Sequence, residues 1–409
     1  MNENPGRASS PGAGPVTFWN RDFLLGNIGF FCLYMAVSLF FLLPVFLKQF
    51  GPRQSRVGLI MGIFSVVAIA VRPLFGRMID LRGGRPIALA GIVVLLAGVP
   101  FFHFVRDAGW LPLALRAFTG VGWGMSMSAV IAMCSDLAPA DKLARSMGII
   151  GVAGLVANAL GPLAAEEISA RFGFGGVFDA ALLCLVAAFL CIRAVRPGAR
   201  PREEEERGGG FRDLARVPLA VMLIISAMPV LHGAIRGAII YFIAIFGKSI
   251  GFDRVGAFFL VFSLAAILTR FGLGDISDRF GRKAVILPAA LIIAVNLFFI
   301  SRIQGRTLLI ATGFLGGIGQ GLIFPALSTY IIDFMGRRNK GLAISLYNSL
   351  FDVGMGLGSP FFGWISDIFG YRRMYVFAGV LLLAATAVFM GKAPVTEKQH
   401  VGEVPYVSG

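Results

Sequence analysis

The sequence predicts an all-α polytopic membrane protein, with twelve transmembrane helices in two six-helix bundles related by pseudo-twofold symmetry. Three observations carry that prediction. The 409 residues are 57% hydrophobic and 14% charged, whereas a soluble chain is nearer half apolar and a quarter charged. The apolar residues fall into twelve long runs divided by charged or Pro/Gly-rich punctuation. The punctuation of the first six runs then recurs in the second six.

A mean hydropathy of +0.80 with 38 Phe excludes a water-soluble fold, which could not keep so much apolar surface from water. It excludes disorder as well, because the chain is rich in groups that can be buried. The net charge of +15 does not imply a nucleic-acid partner. No basic run is interleaved with aromatics, and Lys and Arg gather in cytoplasmic loops of membrane proteins for topological reasons. Cys32, Cys134, Cys184 and Cys191 all lie in apolar runs without metal-ligand spacing, and three His are too few for a cluster. No metal and no cofactor are expected. Residues 1–22 are polar, and the apolar run from Phe23 is too long for the core of a leader peptide, so none is expected.

A bilayer core of roughly 30 Å needs about 20 apolar residues of helix. The runs at 23–47, 57–79, 86–105, 110–134, 146–165 and 176–195 meet that length, as do 218–246, 255–277, 284–302, 307–334, 341–365 and 373–391. They are continuous rather than alternating, which selects helices over barrel strands. With Arg77, Arg193 and Arg373 at the span ends assigned to the adjoining segments, the side of the N-terminus holds 22 of the 37 Lys and Arg against 11 in the opposite loops, the other four lying within spans. Both termini are therefore expected in the cytoplasm. The organisation that follows is a tail at 1–22, a bundle at 23–195, a linker at 196–217, a second bundle at 218–392 and a tail at 393–409. The linker, with Pro, four consecutive Glu and three Gly, reads as a solvated tether.

The repeat is specific. RPLFGRMIDLRGGR at 72–85 answers RFGLGDISDRFGRK at 270–283, so that Arg72, Gly76, Asp80, Gly83 and Arg85 match Arg270, Gly274, Asp278, Gly281 and Lys283 at an offset of 198. Gly120 to Gly124 matches Gly317 to Gly321, and Asp136 matches Asp333, at an offset of 197. Each copy of the first element sits at the turn after the second helix of its half. Its glycines permit a tight turn and close helix approach. Its Asp can accept hydrogen bonds from a neighbouring helix N-terminus, and its Arg and Lys can anchor at the inner headgroups. Such an element reads as a latch, with Gly76, Asp80, Gly83, Arg85, Gly274, Asp278, Arg279, Gly281, Arg282 and Lys283 as the gating residues.

With these residues in view, the chain resembles the major facilitator superfamily from about residue 20 to 392. Gly274 to Lys283 nearly completes its loop pattern G-x-x-x-D-R-x-G-R-K, while the first copy has Leu81 and Gly84 where Arg is usual. Residues 115–122 (LRAFTGVG) look like its fourth-helix motif. Residues 154–162 look like the fifth-helix motif of the drug–proton antiporters, with Ala165-Glu166 where paired Gly are usual. The C-terminal half looks most like the bacterial efflux branch of arabinose-efflux-type permeases and metallophore exporters. The resemblance implies small-molecule export by proton antiport through the inner membrane.

Ionisable groups inside spans cost at least about 2.5–3.5 kcal/mol each and so become candidates for function. Asp352, near the middle of the eleventh span, reads as a proton site or as a structural hydrogen-bond acceptor. Arg116 in the fourth span reads as a coupling cation, an anion-binding group or a structural Arg. His232 and Arg236, four apart on the seventh span, share one helix face and suit a proton relay or a cavity lining. Arg72 and Arg270, one turn before the latch glycines, read as structural or gating residues. Asn27, Asn158, Gln320, Tyr347 and Asn348 complete the cavity candidates. The first span has no acidic residue, and positive groups outnumber negative ones, which leans toward an anionic, zwitterionic or polar neutral substrate.

The leading expectation is export of a small organic molecule by exchange for protons, with alternating access between the two bundles. The alternative is proton-coupled uptake of an organic anion. A membrane scaffold would not need both latch copies. No catalytic set or ATP-binding loop is present, so no enzyme is expected. The partners expected are the substrate, the proton and the bilayer, with the chain as a monomer.

Overall fold

The computed structural model describes residues 20–137, 143–196, 218–252, 254–273, 280–336 and 340–394. Among these residues every regular element is a helix. Helix α1 (Arg21–Leu39) passes through a short 3₁₀ turn (Phe40–Leu42) into α2 (Leu43–Lys48), and the three make the first span. Then follow α3 (Gln54–Arg82), α4 (Gly84–Gly98) with a 3₁₀ extension (Val99–Phe104), α5 (Trp110–Asp136) and α6 (Leu143–Ala194). The second half comprises α7 (Leu219–Ser249), α8 (Gly256–Leu273), α9 (Arg282–Ser301), α10 (Arg306–Met335) and α11 (Lys340–Lys392). Ten helical segments are long and apolar enough to cross a membrane.

Two of them cross twice. Helices α6 and α11, of 52 and 53 residues, each break at one glycine, Gly173 (φ 70°) and Gly370 (φ 78°). A residue with positive φ turns the chain within one position, which suits glycine because it has no Cβ. The sequence places loops at 166–175 and 366–372, but the chain remains helical up to each of these glycines. Counted this way, the described helices form twelve spans, numbered here in chain order. We call the face holding Arg21 and Lys392 proximal and the opposite face distal.

The repeat reappears as geometry. Gly83 and Gly281 both turn at φ 89° at the proximal end of the second and eighth spans. Two residues later, Arg85 donates to the carbonyls of Ile192 (3.4 Å) and Arg193 (2.5 Å), and Lys283 donates to those of Met390 (3.2 Å) and Ala393 (2.5 Å). Both basic side chains thus satisfy the last carbonyls of a span, the sixth and the twelfth, where a cation also meets the negative end of the helix. This corrects the expectation of headgroup anchors. Gly120 and Gly317 likewise share one task. A Cβ on either would strike the carbonyl oxygen of the repeat-related Phe64 or Phe262.

The two halves meet along three lines: span 2 against span 11, span 5 against span 8, and the distal end of span 1 against span 7. Along the first, Gly58 lies against the backbone of Ser359 and Pro360, Gly62 against Gly356, and Gly363 against Gln54 and Ser55. All these positions belong to the distal half of their spans. Small residues let helix backbones touch where lipid offers no hydrophobic driving force for association.

Candidate functional site: a charged pathway between the halves

Span 2 carries Arg72 ten residues, or about 15 Å, before its proximal end. From there its Nη1 reaches Asp352 Oδ2 of span 11 at 2.6 Å. The sequence reading gave Arg72 a structural or gating role beside the latch and named no partner for Asp352. The structure instead joins them in an ion pair that bridges the two halves at mid-depth. A pair of this kind holds only while both charges are present, because each is taken from water at a cost of several kcal/mol.

Three of the sequence-named residues come together one layer away. His232 of span 7 sits between Gln320 of span 10, with Nε2 and Oε1 2.8 Å apart, and the Tyr347 hydroxyl of span 11, 3.1 Å from Nδ1. With the amide oxygen toward the ring, Nε2 donates and Nδ1 accepts from the phenol. Phe351 meets the imidazole edge-on at 5.0 Å. Asn348 is half-buried beside Tyr347. Asn158 donates to the Tyr34 hydroxyl at 3.3 Å and lies 3.5 Å from Ser38 Oγ. Asn27 does not join them. Its amide donates to the carbonyl of Phe23 in its own helix at 2.8 Å.

The remaining arginines lie on aromatic rings. Arg116 stacks over Phe64 at 4.1 Å, Arg236 over Phe262 at 4.2 Å and Arg270 over Phe324 at 5.1 Å. Arg116 is 4% exposed and Arg236 9% exposed, so Arg236 does not snorkel to either surface. Arg116 Nε, Arg236 Nη1 and Arg270 Nε have no hydrogen-bond acceptor among the described residues. Tyr34 lies within electrostatic reach of Arg236 and Arg270, Tyr241 within that of Arg116, and both within that of Asp352. Sequence reasoning missed both tyrosines and the three rings. The equivalence of Phe64 and Phe262, at the repeat offset of 198, was the signal available for two of the rings.

The distal face is fastened by two carboxylates. Glu166, near the distal end of span 5, accepts from the backbone amides of Val255 (2.6 Å) and Gly256 (2.9 Å) at the start of span 8. Asp367, near the distal end of span 11, accepts from those of Gln54 (2.5 Å) and Ser55 (2.9 Å) at the start of span 2. Each bond set crosses from one half to the other, and a carboxylate at a helix N-terminus also meets the positive end of the macrodipole. The expected carboxylate latch is on the other face. Asp80 is exposed, while Gly274, Asp278 and Arg279 lie outside the described residues. Arg282, also expected in the latch, pairs within its own half with Asp333 at 2.7 Å. Gly76 has open space around it. The halves are thus closed at the distal face and unlatched at Asp80 on the proximal one.

Twelve spans in two repeated halves, joined along one face and carrying an ion pair and buried cations at mid-depth between them, define a multi-pass membrane transporter. A family model described as Major Facilitator Superfamily matches residues 26–269 and 230–408. The chain belongs to that superfamily. Among curated proteins it is 21% identical to the staphylopine export protein of Staphylococcus aureus, over 89% of this chain and 96% of that one. It is 24% identical to the multidrug resistance protein MdtG of Escherichia coli, over 91% and 94%. Among solved structures, the nucleoside transporter NupG superposes with a TM-score of 0.79 at 11% identity, covering 91% of this chain and 99% of that one. One of these curated relatives is named an exporter and the other a multidrug resistance protein.

Proposed function

We propose that this protein exports a small organic molecule across a bacterial inner membrane in exchange for protons, with its proximal face and both termini in the cytoplasm. The observation that carries the proposal is the Arg72–Asp352 ion pair. It links spans 2 and 11, which belong to different halves and must move relative to each other during alternating access. A proton arriving on Asp352 from the distal side removes the attraction and leaves Arg72 uncompensated, which frees the two spans to shift. Loss of that proton to the cytoplasm restores the pair in the state described here, with the distal face closed and the site accessible to cytoplasmic substrate. The names of both curated relatives support the outward direction, and the 22-to-11 bias of basic residues supports the orientation.

Proton-coupled uptake of an organic anion by the same fold is the second reading. The unpaired guanidiniums of Arg116 and Arg236 favour it. Proteoliposomes with a trapped pH-sensitive dye separate the readings. Exchange predicts that substrate added to the cytoplasmic side drives a pH change of opposite sense to substrate flow, absent in Asp352→Asn. Uptake predicts proton and substrate movement in the same sense. Substrate flow with no pH response in either direction would refute proton coupling.

A further inference from the structure

Resting on the transport reading above, we infer that the substrate is an organic anion with at least two acidic groups, held between Arg236 and Arg270, with Arg116 as a further positive charge nearer the distal face. The argument begins with charge. At mid-depth between the halves stand Arg72, Arg236 and Arg270, with Arg116 six residues from the distal end of span 4, and the carboxylate opposing them among the described residues is Asp352, already paired with Arg72. Three guanidiniums remain. Burying a charge costs several kcal/mol even after relaxation. The ring beneath each returns only part of that cost as a cation–π contact.

Geometry points the same way. Each of the three keeps at least one N–H without an acceptor, although a buried donor ordinarily finds one. Arg236 of span 7 stacks on Phe262 of span 8, the span that also carries Arg270, so an anion received between the two would relieve the repulsion of like charges. One acidic group can serve one guanidinium in bidentate fashion. Two are needed to satisfy both. The hydroxyl of Tyr34, which accepts from Asn158, lies within the field of both guanidiniums and keeps its own O–H to donate to an oxyanion. A lipophilic monocation would instead meet three like charges in a low-dielectric space.

Calorimetric titration of the purified full chain in detergent, at fixed ionic strength, tests this with four probes: phthalate, isophthalate, benzoate and tetraphenylphosphonium. One further charge-assisted contact corresponds to about tenfold in affinity. At least one diacid is therefore expected to bind about tenfold or more tightly than benzoate, with no saturable binding of tetraphenylphosphonium. Arg236→Gln and Arg270→Gln should each erase the advantage of the diacid over benzoate. Arg236→Lys and Arg270→Lys, which keep the charge if the Gln variants fold poorly, should retain part of it. Equal affinity for diacid and monoacid, tighter binding of tetraphenylphosphonium, or no saturable binding of either diacid overturns the inference. The transport reading fails separately. Proton movement driven by tetraphenylphosphonium in liposomes would preserve exchange while refuting the anion site, and diacid binding without any flux would do the reverse.

Discussion

Glu166 and Asp367 make the same contact from the two halves. They stand 201 residues apart, and so do the amides they hold, Val255 and Gly256 for one and Gln54 and Ser55 for the other. The distal closure is therefore one contact made twice, each half fastening the first turn of a span in its partner. Such symmetry means that neither half is the lock and neither the key.

Neutralising either carboxylate is expected to open the distal face. A carboxylate at a helix N-terminus contributes about 1 kcal/mol, so Glu166→Gln or Asp367→Asn should move the population toward the distal-open state by about fivefold. The double variant should move it by about the product. Spin labels at the exposed distal positions Arg106 and Arg302 would read the shift as a longer inter-label distance. Unchanged distances in the double variant would refute the latch.

Removing one member of the Arg72–Asp352 pair should destabilise more than removing both. Arg72→Gln leaves a buried carboxylate without its partner, a loss of about 3 kcal/mol for buried pairs in general. Arg72→Gln with Asp352→Asn should recover much of it. Thermal melting of the two single variants and the double, combined as a mutant cycle, measures the coupling. Additive losses would show the two groups to be independent.

Gly233 and Gly354 fix the packing of span 7 on span 11. A Cβ on Gly233 would collide with the carbonyl oxygen of Phe351, and one on Gly354 with that of Val230. Gly233→Ala or Gly354→Ala should each cost about 1–3 kcal/mol or more, since backbone cannot yield as a side-chain tip can. Gly151→Ala, where nothing lies within 4 Å, should be neutral or slightly stabilising in the same melting assay.

Gly76 discriminates between states. It stands in the proximal latch, yet no atom lies within 4 Å of where its Cβ would be. Gly76→Val should leave melting of this state within about 0.5 kcal/mol of the wild type, as for other open sites. It should slow transport once the proximal face has to close upon that position. Full transport activity in this variant would exclude Gly76 from the closing surface.

Much of the architecture was legible because a bilayer imposes a minimum apolar length, and a repeat betrays itself at a constant offset. His232, Gln320 and Tyr347 were legible as polar groups placed in spans at a cost. What escaped has physical reasons too. The partner of Arg72 is 280 residues away, and no periodicity states which face of span 2 looks at span 11. Gly173 and Gly370 could replace whole loops because reversal at positive φ takes one residue, whereas a search for punctuation expects several. The distal carboxylates repeat at 201 while the proximal loop repeats at 198. The turn glycines that follow them, Gly173 and Gly370, are 197 apart, so Glu166 and Asp367 stand about one helical turn out of the repeat's register and no constant offset could pair them.

The glycines of spans 2 and 11 have a consequence for leakage. Where Gly58, Gly62, Gly356 and Gly363 bring backbone against backbone, cohesion comes from dispersion, which fades within about an ångström of separation. No long side chain bridges such a seam elastically, so a slightly parted interface keeps little of its attraction. The two halves are then either in contact or apart, with few configurations between. A machine that must expose its interior to one compartment at a time gains from this brittleness, since a half-parted seam would be a pore through which the proton gradient drains.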